Sequence, residues 1–191
     1  MKHRIKSATH DDRDSILALL PRLAEFDIPK HRAPKELWEG DANMVKQWSD
    51  GKRPELDIWV ACKQQAVESD TADDSVIGVS IVSYKPELLS SKPSAHLEVM
   101  VVDKAVEGQG VASALIKHAQ KMAAAKGAQS MSLHVFAANQ NARTFYEKQG
   151  FDGELLRYSK PLKVKKVHNF FGKHVATSGV ARSIKKLLRS N

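Results

Sequence analysis

The 191-residue chain has little of several things, and each scarcity excludes something. It holds a single cysteine, Cys62, inside the apolar segment Ile58-Trp-Val-Ala-Cys62, so an intramolecular disulfide is excluded. We expect that thiol to be buried and give it no catalytic role. No apolar run approaches the length needed to span a bilayer, and the opening Met1-Lys-His-Arg-Ile-Lys6 has no signal-peptide core. A cytoplasmic protein without a membrane partner is the expectation. There is no internal repeat, which excludes a solenoid. Residues 161 to 191 carry eight Lys/Arg and no Asp or Glu, whereas residues 1 to 160 carry 22 of each sign. The net charge of +8 therefore belongs wholly to the tail, and the pI near 9.5 is no argument for a nucleic-acid surface on the body.

What remains is 42% hydrophobic and 27% charged, enough for one domain with a substantial core. Its most informative stretch is Leu97 to Met122: an apolar run, then Glu107-Gly-Gln-Gly-Val-Ala112, then apolar residues at helical spacing. A strand, a glycine turn and a helix start form a cradle in which backbone N–H groups converge on an anion. The turn lacks the Lys-Ser/Thr of a nucleoside-triphosphate loop and the third glycine of a dinucleotide turn. A phosphorylated ligand other than ATP or NAD is expected there.

Strands are expected at 4–8, 57–63, 76–84, 97–102, 129–136 and 151–159. Ile16, Leu19, Leu20 and Leu23 lie on one face of a first helix, which Pro21 should kink. A second helix is expected over about 35–48, a third from Val111 with Lys126-Gly127 as its stop, and a fourth over 139–148. Residues 68–75 read as a hairpin loop and 85–94 as a further loop. Strand, helix, strand with a parallel crossover implies an α/β sandwich.

Two motifs in this order, Gly108-Gln-Gly110-Val-Ala112 and Leu133-x-Val135-x-x-x-Asn139-x-x-Ala142-x-x-Phe145-Tyr146-x-x-x-Gly150-Phe151, give the chain its resemblance to a family. It resembles the GNAT superfamily of acetyl-coenzyme A dependent N-acyltransferases, most closely over 97–151 and loosely over 3–160. The resemblance implies a mixed, mostly antiparallel sheet flanked by helices, with a splayed parallel central strand pair. It implies acetyl-CoA as cosubstrate, with the pyrophosphate on the N–H groups of Gly108, Gln109, Gly110, Val111, Ala112 and Ser113. The pantetheine arm is expected along Met100, Val101 and Val102, beside a strand edge opened by a bulge at those residues.

The same resemblance gives Tyr146 the role of acid to the departing thiolate and Asn139 that of holding the coenzyme arm. It makes the backbone N–H of Met100 the donor to the oxyanion. Glu98 stands where many members carry a base, and His96 and His134 lie nearby. Each residue also has a plainer reading: a helix-core aromatic for Tyr146, a helix cap for Asn139, a solvated strand residue for Glu98, structural or surface histidines for the other two. Glu107 departs from the Arg or Gln usual at its position, and a carboxylate there repels a pyrophosphate unless it points outward. The early Pro161 leaves the last strand short, absent, or supplied by 162–167 or a partner subunit.

The tail, 161–191, reads as a basic extension whose Val180, Ile184, Leu187 and Leu188 share one face of an amphipathic helix. Docking on its own domain or across a homodimer is expected ahead of a membrane or nucleic acid. The leading function is transfer of acetyl to a primary amine by direct attack, without metal or covalent enzyme intermediate. A noncatalytic acyl-CoA-binding module of the same fold is the alternative. Lys30, His31, Arg32 and Lys35 point to an acceptor bearing a carboxylate.

Overall fold

The computed structural model describes residues 2–64 and 75–162. Most of the expected hairpin loop 68–75, the tail helix and the candidate strand 162–167 lie outside the described residues, the last except for Leu162. The chain divides into two units, Met1–Glu154 and Leu155–Asn191. The described strands and helices all fall in the first. No helix among the described residues is long and apolar enough to cross a membrane.

Five strands, β1 (His3–Ser7), β2 (Asp57–Lys63), β3 (Val76–Pro86), β4 (Pro93–Val102) and β5 (Ser130–Leu133), lie side by side in chain order. Neighbours are antiparallel up to β4, and β4 and β5 are parallel. The helices are α1 (Arg13–Leu19), α2 (Glu39–Ser49), α3 (Val111–Ala125) and α4 (Gln140–Lys148). Beyond Leu19 the chain tightens into a 3-10 segment, Leu20–Ala24, because Pro21 ends the α-helical hydrogen bonding. The loop expected over 85–94 is shorter than that span: β3 runs on to Pro86 and β4 starts at Pro93, leaving a short hairpin turn.

Apolar residues cover both faces of the central strands. Ile16 and Leu20 with Ala42 and Val45 of α2 cover one face, against Val60, Ile81 and Val99. Val111, Leu115, Ile116 and Ala119 of α3 cover the other, against Ala61, Val82 and Leu97. Leu115 and Ile116 are fully buried, and each contributes about 2 kcal/mol of hydrophobic stabilisation. Close approach is enforced at Gly78, where a Cβ would meet Val102 Cγ1 at 3.0 Å and Leu115 Cδ1 at 3.1 Å. A larger residue there would push α3 and the end of β4 off the sheet.

Strict alternation would put Ala95, Leu97, Val99 and Val101 on one face, yet Ala95 and Leu97 pack on α3 while Val99 and Val101 pack on α1 and α2. A bulge resolves the conflict: Ile81 pairs Val99 and Val82 pairs Leu97, leaving Glu98 as the extra residue. The break in register thus lies at Glu98, upstream of the expected Met100–Val102. Pairing with β5 covers only Ser94 to Leu97, so past that point β4 keeps β3 as a partner and its other edge is unpaired. This is the splay that the resemblance implied.

Two strand expectations are corrected. β5 stops at Leu133 instead of Phe136, since Val135 and Phe136 are exposed and have no partner strand. No strand forms over 151–162: Asp152, Gly153 and Glu154 are exposed, and Leu155, Leu156 and Tyr158 are 63%, 82% and 88% exposed. Apolar side chains in a strand need a surface to cover and a partner strand, and no described strand pairs with these residues.

Candidate active site

At the glycine turn both Gly108 and Gly110 adopt left-handed φ, 74° and 82°, which strains any residue with a Cβ. Gly110 is the N-cap of α3, and no side chain caps that end. Intrahelical bonding begins with Ala114 N to Gly110 O at 3.0 Å, so the N–H groups of Val111, Ala112 and Ser113 stay open to an anion. A Cβ at Gly108 or Gly110 would meet nothing within 4 Å, so the space above the turn is clear. The residues fit a diphosphate.

The expected departure, Glu107, is answered by Arg22. The Arg22 guanidinium, in the 3-10 segment after α1, donates to Glu107 Oε1 at 2.6 Å, to Glu25 Oε2 at 3.1 and 3.2 Å, and to the carbonyl of Val102.

Backbone alternation then decides what β4 offers beyond the bulge. Asp103 N donates to Ile77 O, on the β3 side, so Val102 and Met100 turn their N–H and C=O groups to the opposite, unpaired edge. Arg22 takes the Val102 carbonyl. The Met100 N–H and C=O and the Val102 N–H face the splay.

On the α1/α2 face, Glu98 accepts from Ser83 Oγ at 2.5 Å and lies 3.5 Å from Lys85 Nζ and 4.0 Å from His96 Nε2. His96 is buried, its Nδ1 is 2.8 Å from Ser132 Oγ, and its ring meets His134 edge-on at 4.7 Å. Burial first, then Lys85 and His134, push the His96 imidazole down to about 4 against the pull of Glu98. It is neutral at pH 7. Asp41 of α2 is the group that sequence reasoning missed: burial, then the Glu98 charge, push its carboxyl up to about 7. Among the described residues no cation is paired with it. Nothing in Trp38-Glu-Gly-Asp41-Ala signals this, because its burial and its approach to Glu98, more than fifty residues away, arise only in the folded chain.

On the α3 face, Tyr146 of α4 packs into the same apolar cluster as Met100 and Val102. Its ring is edge-on to Phe145 at 5.3 Å and Phe151 at 5.8 Å, and burial pushes the phenol up to about 12. Asn139 caps α4, accepting from Ala142 N at 3.1 Å through Oδ1, which leaves its amide NH2 for other contacts. The plainer reading of Asn139 thus holds, whatever else it does.

The basic loop gives no support to a carboxylate-bearing acceptor. Arg32 is paired with Glu36 at 3.1 Å and Lys35 with Glu39 at 3.2 Å, both exposed i,i+4 pairs. The cleft at the far end of α3, lined by Gln120, Ser130, Met131 and Phe151, includes none of Glu98, Met100, Asn139 and Tyr146 in its lining.

Known proteins share this fold. A search of solved structures finds an acetyltransferase from Trypanosoma brucei at 22% identity and TM-score 0.58, covering 84% of this chain and 100% of its own. The ribosomal-protein-alanine N-acetyltransferase of Brucella melitensis biovar Abortus 2308 matches at 16% identity and TM-score 0.59, again covering 84% and 100%. The enzyme AAC(6')-Iy, solved with the bisubstrate analogue CoA-S-monomethyl-acetylneamine, matches at 20% identity and TM-score 0.60, covering 85% and 100%. At such identities the likeness establishes the fold alone. No curated protein sequence matches the chain. The model of the Acetyltransferase (GNAT) family, however, matches residues 21–151, most of the chain and every site residue named above, and the chain belongs to that family.

Proposed function

We propose that the protein is an N-acetyltransferase that moves the acetyl group of acetyl-CoA to a primary amine by direct attack. One observation carries the reading: beyond its bulge β4 places Glu98 on one face, packs beside Tyr146 on the other, and turns the Met100 N–H into the splay between them. The neighbour solved with a coenzyme A analogue supports the ligand.

When bound, acetyl-CoA supplies an activated thioester carbonyl. The backbone N–H groups of Gly108, Gly110, Val111, Ala112 and Ser113 hold its diphosphate, while that of Gln109, expected among them, already donates to the Val106 carbonyl at 3.2 Å; the open edge of β4 at Met100 and Val102 pairs with the amides of its arm. The acceptor arrives on the α1/α2 face as an ammonium, which Glu98 and Asp41 attract. Glu98 takes a proton and frees the nitrogen lone pair, with Ser83 and Lys85 fixing its carboxylate. The Met100 N–H donates to the carbonyl oxygen as negative charge grows there while the C–N bond forms. From the other face, the Tyr146 hydroxyl donates a hydrogen bond to the sulfur as the C–S bond breaks, and the second proton, lost from the acylated nitrogen to solvent, is balanced by protonation of the released thiolate.

The test is incubation with acetyl-CoA and a panel of monoamines, diamines, amino acids and peptides, read by mass spectrometry. We expect one acetyl group on an amine nitrogen for each coenzyme A released, with cationic acceptors preferred. Tight coenzyme binding with no transfer to any amine would support the noncatalytic module instead.

A further inference from the structure

We propose that Arg22 is a positioning residue for the coenzyme, which masks the Glu107 carboxylate at the mouth of the diphosphate cradle. This rests on the acetyl-CoA reading above. Glu107 immediately precedes Gly108, so its charge stands beside the anion that the turn is built to hold. Left bare, a carboxylate there opposes a diphosphate at short range, where partial burial weakens solvent screening.

The geometry shows how the opposition is lessened. Arg22 is only 16% exposed in its side chain, while Glu107 is 57% exposed, so the guanidinium reaches the carboxylate from the protein side. It is aimed by two further contacts: the Val102 carbonyl at the end of β4 and the Glu25 carboxylate three residues on. Val102 and Glu107 bracket the short 3-10 turn Lys104–Val106, which delivers the chain to the cradle. One planar cation therefore ties both ends of that connector, a task that suits the fixed fork of an arginine better than a lysine. The cation is shared between Glu107 and Glu25, so it lessens the negative charge at the mouth of the cradle without reversing it. Arg22 and Glu107 are 85 residues apart, which is why neither signals the other in the sequence.

The experiment is calorimetric titration of coenzyme A, and separately of S-acetylpantetheine, which lacks the diphosphate, into the wild type, Arg22→Gln, Glu107→Gln and the double variant. We expect Arg22→Gln to raise the Kd for coenzyme A about tenfold, with an effect that shrinks as salt is added. Glu107→Gln should bind as tightly as the wild type or more tightly, and the double variant should match Glu107→Gln. Glu107→Gln should leave binding of S-acetylpantetheine unaltered, and Arg22→Gln, which also frees the Val102 carbonyl on the edge that takes the arm, should change it far less than it changes binding of coenzyme A. Recovery in the double variant separates masking from misfolding, because a fold damaged by losing Arg22 is not repaired by losing its partner. Equal affinity of Arg22→Gln and wild type, or a double variant as weak as Arg22→Gln, would overturn the proposal. A wild type that binds no coenzyme A overturns the underlying reading and this proposal with it.

Discussion

Tyr146→Phe should lower kcat about 100-fold or more at saturating acetyl-CoA, with the KM for the coenzyme changed by less than about threefold. The substitution keeps the ring that packs on Phe145 and Phe151 and removes only the hydroxyl, so the fold should lose little. The pH dependence follows from the sign of the shift. A phenol pushed up to about 12 keeps its proton throughout the working range, so the loss should be the same from about pH 6 to pH 10. The same shift limits what the residue does. Handing a proton fully to a thiolate of ordinary basicity, near 8.5, is uphill by roughly 3.5 pKa units, or about 5 kcal/mol. In the proposed mechanism, Tyr146 therefore serves by hydrogen-bonding the sulfur as it departs, not by releasing a proton ahead of bond cleavage. Steady-state kinetics checks this, and unchanged kcat in the variant would remove Tyr146 from the reaction and return it to the helix core.

Gly110→Ala is expected to weaken coenzyme A binding between about tenfold and 100-fold while leaving S-acetylpantetheine unaffected. Alanine at φ 82° is strained by roughly 1–2 kcal/mol, and a chain of this size answers each kcal/mol with about 2–4 °C in Tm. The fold should survive, because no atom lies within 4 Å of the added Cβ. The binding loss is larger in kind: the strain relaxes by turning N–H groups away from the anion. Each charge-assisted hydrogen bond lost there removes about 1.5–3 kcal/mol, and each 1.4 kcal/mol is tenfold in Kd. Calorimetry on both ligands checks it, and equal losses for the two would mean that the turn does not hold the diphosphate.

The strand, glycine turn and helix were legible because local chemistry writes them: apolar runs for β2 and β3, Gly108 and Gly110 for the left-handed turn, helical spacing from Val111. Asn139 and Tyr146 could be singled out because one short motif, spanning α4 and its cap, carries both. The bulge was misplaced because it depends on which face each residue of β4 must cover, a question the sheet decides. Asp41 and Arg22 were invisible for a related reason. A carboxyl acquires a shifted pKa, and an arginine a set of partners, only when distant segments meet. The strand expected at 151–159 failed because Leu155, Leu156 and Tyr158 read as strand-forming, whereas strand formation also requires a neighbour.

The central claim is that the N–H groups opening α3 and those on the free edge of β4 receive one coenzyme molecule. Amide hydrogen exchange with and without coenzyme A measures those groups individually. The account predicts slowed exchange at Val111, Ala112 and Ser113 and at Met100 and Val102, with little change along β1 and β2. Unaltered exchange at both places, under conditions where the coenzyme is bound, would contradict it.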